Sequence, residues 1–155
     1  MNIYNLIVKT VSTFFYLGYL PLIPGTFASV VAIFLFYLIK GSIFIYTLVT
    51  LLLIILGFLV SGRAEKIFNQ KDARYIVIDE VAGMFLSLVF IPYDIRWVVI
   101  AFFFFRIFDA LKPYPAGRIQ EINGSTGVMG DDIIAALYTN IILQVVLRLV
   151  SFKTS

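Results

Sequence analysis

Five acidic residues, Asp79, Glu80, Asp109, Asp131 and Asp132, sit beside or inside long apolar runs of a chain that has only nine acids in all. An ionised carboxylate in or near hydrocarbon is costly, so such residues tend to face cavities and to serve a purpose. The nearest cations are Arg106 and Lys112, and the chain has neither histidine nor cysteine. Carboxylates and cations without imidazole or thiol suit a hard divalent ion that holds a phosphate.

Each acidic element also has a plainer explanation. Asp79-Glu80 opens an apolar helix, where acids complement the macrodipole by about 0.3–1 kcal/mol. That accounts well for one exposed acid and less well for two between Ile76-Val77-Ile78 and Val81-Ala82. Arg106, Asp109 and Lys112 recur every third residue and share one helix stripe, which gives either simple ion pairs or a metal carboxylate flanked by two phosphate-binding cations. Asp131-Asp132 follows Gly127-Val-Met-Gly130 and reads as an N-cap with an acidic first turn. As the third acidic element on one membrane face, it also fits a magnesium ligand. Pro24-Gly25-Thr26 precedes a helix and offers Gly25 and Thr26 amides to an anion, although a plain turn explains it too. Glu65, Asp72, Asp94 and Glu121 read as solvated surface charges.

Absences narrow the chemistry. Without histidine, a phospho-histidine phosphatase is excluded, and without cysteine so are disulfides and thiolate catalysis. Neither the D-x-D-x-T pattern of aspartate nucleophiles nor the D-G-x-x-A-R pattern of CDP-alcohol phosphotransferases is present. A net charge of +3 and a pI near 9.2 fit an anionic lipid surface. They do not argue for nucleic acid, since no basic run with interleaved aromatics occurs.

The elements that position these residues read as membrane helices. Of 155 residues 61% are hydrophobic and only 14% charged, with mean hydropathy +1.01, an excess that implies lipid rather than a large core. The expected fold is all-α, a polytopic membrane helical bundle of four or five membrane helices in a single domain over residues 1–155. Residues 1–20 form an interfacial amphipathic helix, with Ile3, Leu6, Ile7, Val11, Phe14 and Phe15 at helical spacing, and no signal-peptide pattern is evident. Residues 24–150 form the bundle. Thr26 is a candidate cap for Phe27–Ile39, and Lys40-Gly41 stops that helix. Ile43–Val60 crosses back, and Ser61–Arg74 is a short amphipathic helix and loop. Val81–Ile91 and Trp97–Phe105 need Tyr75–Glu80 and Arg106–Leu111 to reach spanning length, with a hairpin at Pro92-Tyr93-Asp94. Lys112–Gly130 is a loop, and a last helix runs from about Asp131 to Leu149.

Following the crossings puts every motif on one membrane face. That face also carries Arg63, Lys66, Lys71, Arg74, Arg106, Lys112 and Arg118, against Lys40, Arg96, Arg148 and Lys153 opposite. The imbalance predicts a cytoplasmic motif face.

Four segments taken together resemble the phosphatidylglycerophosphatase A family. They are Pro24-Gly25-Thr26-Phe27-Ala28-Ser29, Asp79-Glu80-Val-Ala-Gly83, Phe105-Arg106-Ile-Phe-Asp109-Ala-Leu-Lys112-Pro113-Tyr-Pro115 and Gly127-Val-Met-Gly-Asp131-Asp132-Ile-Ile-Ala135. The chain departs from the family pattern at Ala28 and at Tyr16-Leu17-Gly18 ahead of the first motif. The resemblance implies a magnesium-dependent, multi-pass enzyme of the inner (cytoplasmic) membrane. Its reaction removes the terminal phosphate of phosphatidylglycerophosphate, giving phosphatidylglycerol in phospholipid biosynthesis.

On that reading Asp79, Glu80, Asp109, Asp131 and Asp132 supply ligands for Mg²⁺, and one of them serves as base or nucleophile. Arg106 and Lys112 stabilise charge on the phosphoryl group, with Gly25 and Thr26 near the phosphate. The alternatives are a small cation or proton transporter, which would spread its acids across the membrane depth, and a structural subunit of a lipid-enzyme complex.

Overall fold

A computed structural model describes residues 2–39 and 41–153, with side chains through residue 150. It is all-helical, and no strand occurs among the described residues. The order is α1 (Ile3–Ser12), a 3₁₀ turn at Leu17–Tyr19, α2 (Pro24–Leu38), α3 (Ile43–Phe68), α4 (Ile78–Ser87), α5 (Ile95–Leu111), α6 (Ala116–Gln120) and α7 (Ser125–Lys153).

Helix α4 is the centre of the bundle, in contact with α2, α3, α5 and α7. Its small residues permit this crowding. A β-carbon on Gly83 would lie 2.7 Å from the Phe105 ring and 3.3 Å from the Asp132 carbonyl oxygen. Around it packs a core of Ala28, Ala32, Phe36, Tyr46, Val81, Met84, Phe85 and Ala135. Tyr46 stacks on Phe85 at 5.2 Å and donates its hydroxyl to the Phe85 carbonyl at 2.6 Å.

Helix α4 is only ten residues long, about 15 Å, half of the about 30 Å of hydrocarbon that a spanning helix must cover. Its C-terminal carbonyls would be left bare in an apolar interior, and α7 supplies donors for them. The Asn140 amide donates to the carbonyls of Ser87 at 3.1 Å and Val89 at 2.8 Å, and Gln144 donates to Val89 at 3.2 Å. Buried carbonyls beyond the end of a helix need donors of this kind, because each one left unpaired costs about 1–3 kcal/mol.

Several expected boundaries move. Helix α1 stops at Ser12 rather than Leu20, because Phe14, Phe15 and Tyr16 all adopt the left-handed conformation. Its exposed Ile3, Tyr4, Leu6 and Ile7, with Phe15 just beyond, keep the amphipathic character expected. Thr26 does not cap α2. The cap position is Ile23, with Pro24 as the first helical residue, where its missing N–H costs nothing. Helix α3 runs unbroken through the charged stretch after Val60 and ends at Asn69, which is left-handed with φ 51°. The stretch 112–130 is not a loop, since it contains α6 and the first turns of α7. Gly41 turns the chain after α2 with φ +119°, while Lys40 beside it lies outside the described residues.

Two of the described helices, α3 and α7, are long and apolar enough to cross a membrane, against the four or five expected. Only 22% of each apolar window is buried within the protein, unlike the core helix of a water-soluble domain. Leu51, Leu52, Ile55 and Leu59 on α3 and Ile141, Val145 and Leu149 on α7 stand exposed. Large apolar side chains exposed in these numbers mark an interaction surface rather than a surface built for water.

Candidate active site

Four helices meet where the sequence motifs lie. Asp79 and Glu80 occupy the first turn of α4, and the Glu80 N–H donates to Asp79 Oδ1 at 3.0 Å. Asp131 and Asp132 come from α7. Because α7 begins at Ser125, they stand well inside it, and an N-cap role is ruled out for both. Asp79, Asp131 and Asp132 are buried, at 5%, 3% and 4% exposure.

Carboxylate oxygens of Asp79, Glu80 and Asp132 all lie within 4.8 Å of one another. Glu80 Oε2, Asp132 Oδ2 and the neighbouring Asp131 Oδ1 are buried with no hydrogen-bond donor. Buried polar oxygens are rarely left so, because the desolvation cost goes uncompensated. Converging, donorless carboxylate oxygens fit a hard divalent cation in number and in type.

The remaining two acids are held by the two cations. Asp109 pairs with Arg106 at 2.6 Å and with Lys112 at 3.6 Å. Lys112, the left-handed C-cap of α5, also bonds Asp131. Burial opposes the charged Lys112 ammonium, but the hydrogen bond to Asp131 and the charges of Asp131, Asp132 and Asp109 outweigh it and raise its pKa. The helix stripe expected of Arg106, Asp109 and Lys112 is therefore real, and it turns inward toward α7. Asp109 is close enough to act electrostatically on both Glu80 and Asp132. Five carboxylates face two cations, and the surplus negative charge calls for protons or a metal ion.

The first motif joins the site through Gly25. A β-carbon there would fall 2.0 Å from Glu80 Oε1, so α2 lies directly on that carboxylate. The Thr26 N–H is spent on the Ile23 carbonyl at 3.1 Å, which leaves the Gly25 end of the motif nearest the acids. Thus Asp79, Glu80 and Asp132 form one tight group. Asp109, Asp131, Arg106 and Lys112 form an ion-paired flank, Gly25 packs on the group, and Thr26 stands a step away along α2.

Two acids read from the sequence as solvated surface charges prove to be engaged. Glu65 accepts the backbone N–H groups of Asp72 and Gly124, each at 2.8 Å. Asp72 Oδ2 accepts from Gln120 at 2.9 Å, and its charge reaches Asp79 and Asp131. A cleft of about 240 Å³ lined by Lys71, Asp72, Gln120 and Glu121 lies on this side. No spacing in the sequence signals these roles, since most of the partners are main-chain groups of distant segments. Asp94 instead caps α5 and pairs with Arg96 at 2.6 Å; the Arg96 guanidinium holds its carboxyl below the usual range.

The chain is similar to known proteins along most of its length. It is 31% identical over 144 residues to a Bacteroides thetaiotaomicron protein provisionally named a phosphatidylinositol-3-phosphatase, covering 87% of this chain and 90% of the relative. It is 36% identical over 123 residues to the phosphatidylglycerophosphatase A of Escherichia coli, covering 77% and 72% respectively. For the Haemophilus influenzae protein of the same name the identity is 32% over 124 residues, covering 77% and 76%. No solved structure matches the chain. The family described as Phosphatidylglycerophosphatase A matches residues 10–147, which include all four motifs and every carboxylate of the site. The chain belongs to the phosphatidylglycerophosphatase A family.

Proposed function

We propose that this protein is a Mg²⁺-dependent lipid phosphomonoesterase that converts phosphatidylglycerophosphate to phosphatidylglycerol in phospholipid biosynthesis. The observation that carries the chemistry is the convergence of the Asp79, Glu80 and Asp132 carboxylates, with a buried oxygen of Glu80 and one of Asp132 lacking any donor. Family membership supports the substrate. The exposed apolar belts of α3 and α7 support a membrane setting. The excess of basic residues around the motifs favours the cytoplasmic face of the inner membrane, and a multi-pass arrangement agrees with two apolar helices plus the shorter apolar α2.

Asp79, Glu80 and Asp132 would hold the ion, with Asp109 and Asp131 at its edge. Mg²⁺ bound there supplies Lewis acidity toward phosphate oxygens and acidifies nearby water. Arg106 and Lys112 neutralise charge that builds on the phosphoryl oxygens, in a site largely shielded from water. One of the carboxylates takes the proton from the attacking water. Water oxygen bonds to phosphorus, the phosphorus–glycerol oxygen bond breaks, and the leaving oxygen acquires a proton. The products are inorganic phosphate and the lipid alcohol. The clustering of Asp79, Glu80, Asp109, Asp131 and Asp132 at one end of the bundle disfavours a transporter, which needs its acids spread along a path.

The name of the Bacteroides relative favours a second headgroup, a phosphoinositide carrying a 3-phosphate. Purified protein in lipid micelles with Mg²⁺, assayed for released phosphate on both lipids with and without chelator, tests the proposal. Chelator-sensitive release from phosphatidylglycerophosphate in preference to the phosphoinositide is the expected result. Absence of release from either lipid would end the proposal.

A further inference from the structure

We infer that Glu65 is a positioning residue that clasps together the two chain segments delivering the acids to the site, an inference that rests on the phosphatase reading above. Glu65 lies near the end of α3. Its Oε1 accepts the N–H of Asp72 and its Oε2 the N–H of Gly124, both at 2.8 Å. One carboxylate therefore joins the α3–α4 loop to the turn that enters α7.

Two further contacts join the same two regions, and a third ties α3 itself to the start of α7. Gln120 donates to Asp72 Oδ2 at 2.9 Å, and the Lys71 ammonium donates to the Glu121 carbonyl at 2.7 Å. One turn before Glu65, the Gly62 N–H meets Ser125 Oγ at 2.8 Å. Asp72 is left-handed with φ 45°, a conformation that few side-chain-bearing residues adopt. The bond from Glu65 fixes it there.

Both clasped segments lead straight into the site. From Asp72 the chain passes Val77, whose N–H is held by the Ser12 carbonyl at 2.9 Å, and enters α4 at Asp79 and Glu80. From Gly124 it enters α7, which carries Asp131 and Asp132 two turns on. Helices α4 and α7 also touch directly, with Gly83 against the Asp132 carbonyl, so the clasp acts at the ends by which the chain enters the two acid-bearing helices. A bidentate acceptor is required for this. Glutamine would present one oxygen and one NH₂, leaving one backbone N–H facing another donor. Groups that orient ligand-bearing elements typically cost about 10- to 100-fold in activity or metal affinity when lost.

The test uses the full chain in lipid nanodiscs, comparing wild type with Glu65→Gln and, as the milder variant, Glu65→Asp. The readouts are kcat, KM for the lipid and amide hydrogen exchange. The expected result for Glu65→Gln is a kcat lower by about 10- to 100-fold with KM unchanged. Exchange should accelerate over residues 69–77 and 120–125 and stay as in wild type through the middle of α3 and α7. Glu65→Asp, one methylene short, should move both readouts in the same direction. Wild-type kcat in both variants would overturn the inference. So would accelerated exchange spread evenly over the whole chain, which marks a general stabiliser. Asp132→Asn in parallel separates the two levels of the argument. If it keeps full activity the phosphatase site is wrong, while the exchange pattern still reports whether the clasp exists.

Discussion

Gly25 and Glu80 touch so closely that no side chain fits between them. A β-carbon on Gly25 would sit 2.0 Å from Glu80 Oε1 and 2.8 Å from its carboxyl carbon. Gly25 is the second residue of α2, and alanine in that helical position would ordinarily help the helix by up to about 1 kcal/mol. Here the methyl group must push the carboxylate aside. Gly25→Ala is expected to reduce phosphate release by about 100-fold, the scale of an ångström-level misplacement. Circular dichroism should show the helical content unchanged, which separates displacement of Glu80 from loss of fold.

The Asp79, Glu80 and Asp132 group makes a direct demand on charge. Asp79→Asn and Asp132→Asn should each lower kcat by about 10²–10³, the range seen when one electrostatic group of a reacting site is removed. Isothermal titration with Mg²⁺ should show weakened binding in the same variants. Removing the ion from wild type with chelator should abolish turnover, and adding it back should restore it.

Lys112 bridges Asp109 and Asp131, and its pKa is raised above the ordinary 10.5. The sign follows from linkage. A cation whose pKa is higher in the folded protein stabilises fully below its unfolded value, and the benefit fades only as pH rises through the folded one. Wild-type stability should therefore show no loss from this residue anywhere below about pH 10. Lys112→Met leaves Asp131 buried without its cation and should cost up to about 3–5 kcal/mol in denaturant titrations at neutral pH.

Asn140 and Gln144 serve α4 rather than the reaction. Asn140→Leu strands the Ser87 carbonyl in an apolar setting, at about 1–3 kcal/mol, while Gln144→Leu leaves Asn140 on Val89 and should cost less. Thermal unfolding should fall accordingly, while kcat per folded molecule stays close to wild type. A loss of kcat without a loss of stability would show that these amides do something else.

The chemistry of the site was more legible in the sequence than the helices that carry it. Acidic residues inside apolar runs are conspicuous because burial of charge is costly; Asp79, Glu80 and Asp132 converge, while Asp109 and Asp131 stand beside them in ion pairs. Boundaries were hidden for physical reasons. Ser125–Gly130 reads as loop because of its two glycines, yet both are contact points. A β-carbon on Gly127 would strike the Ile122 carbonyl at 1.9 Å, and one on Gly130 the Ile119 side chain at 2.4 Å. These residues let α6 lie against α7 rather than breaking the helix. The apolar run from Val81 to Ile91 looks like a span because hydropathy does not register that Asn140 and Gln144, some fifty residues on, finish it early. Glu65 leaves no signal in the sequence because its partners are backbone amides, which any sequence supplies.

The mounting of Asp131 and Asp132 partway along an uninterrupted α7 has a mechanical consequence. Acids carried on one rigid rod keep their backbone spacing and travel as a unit, so a kink placed ahead of them should displace both at once rather than either alone.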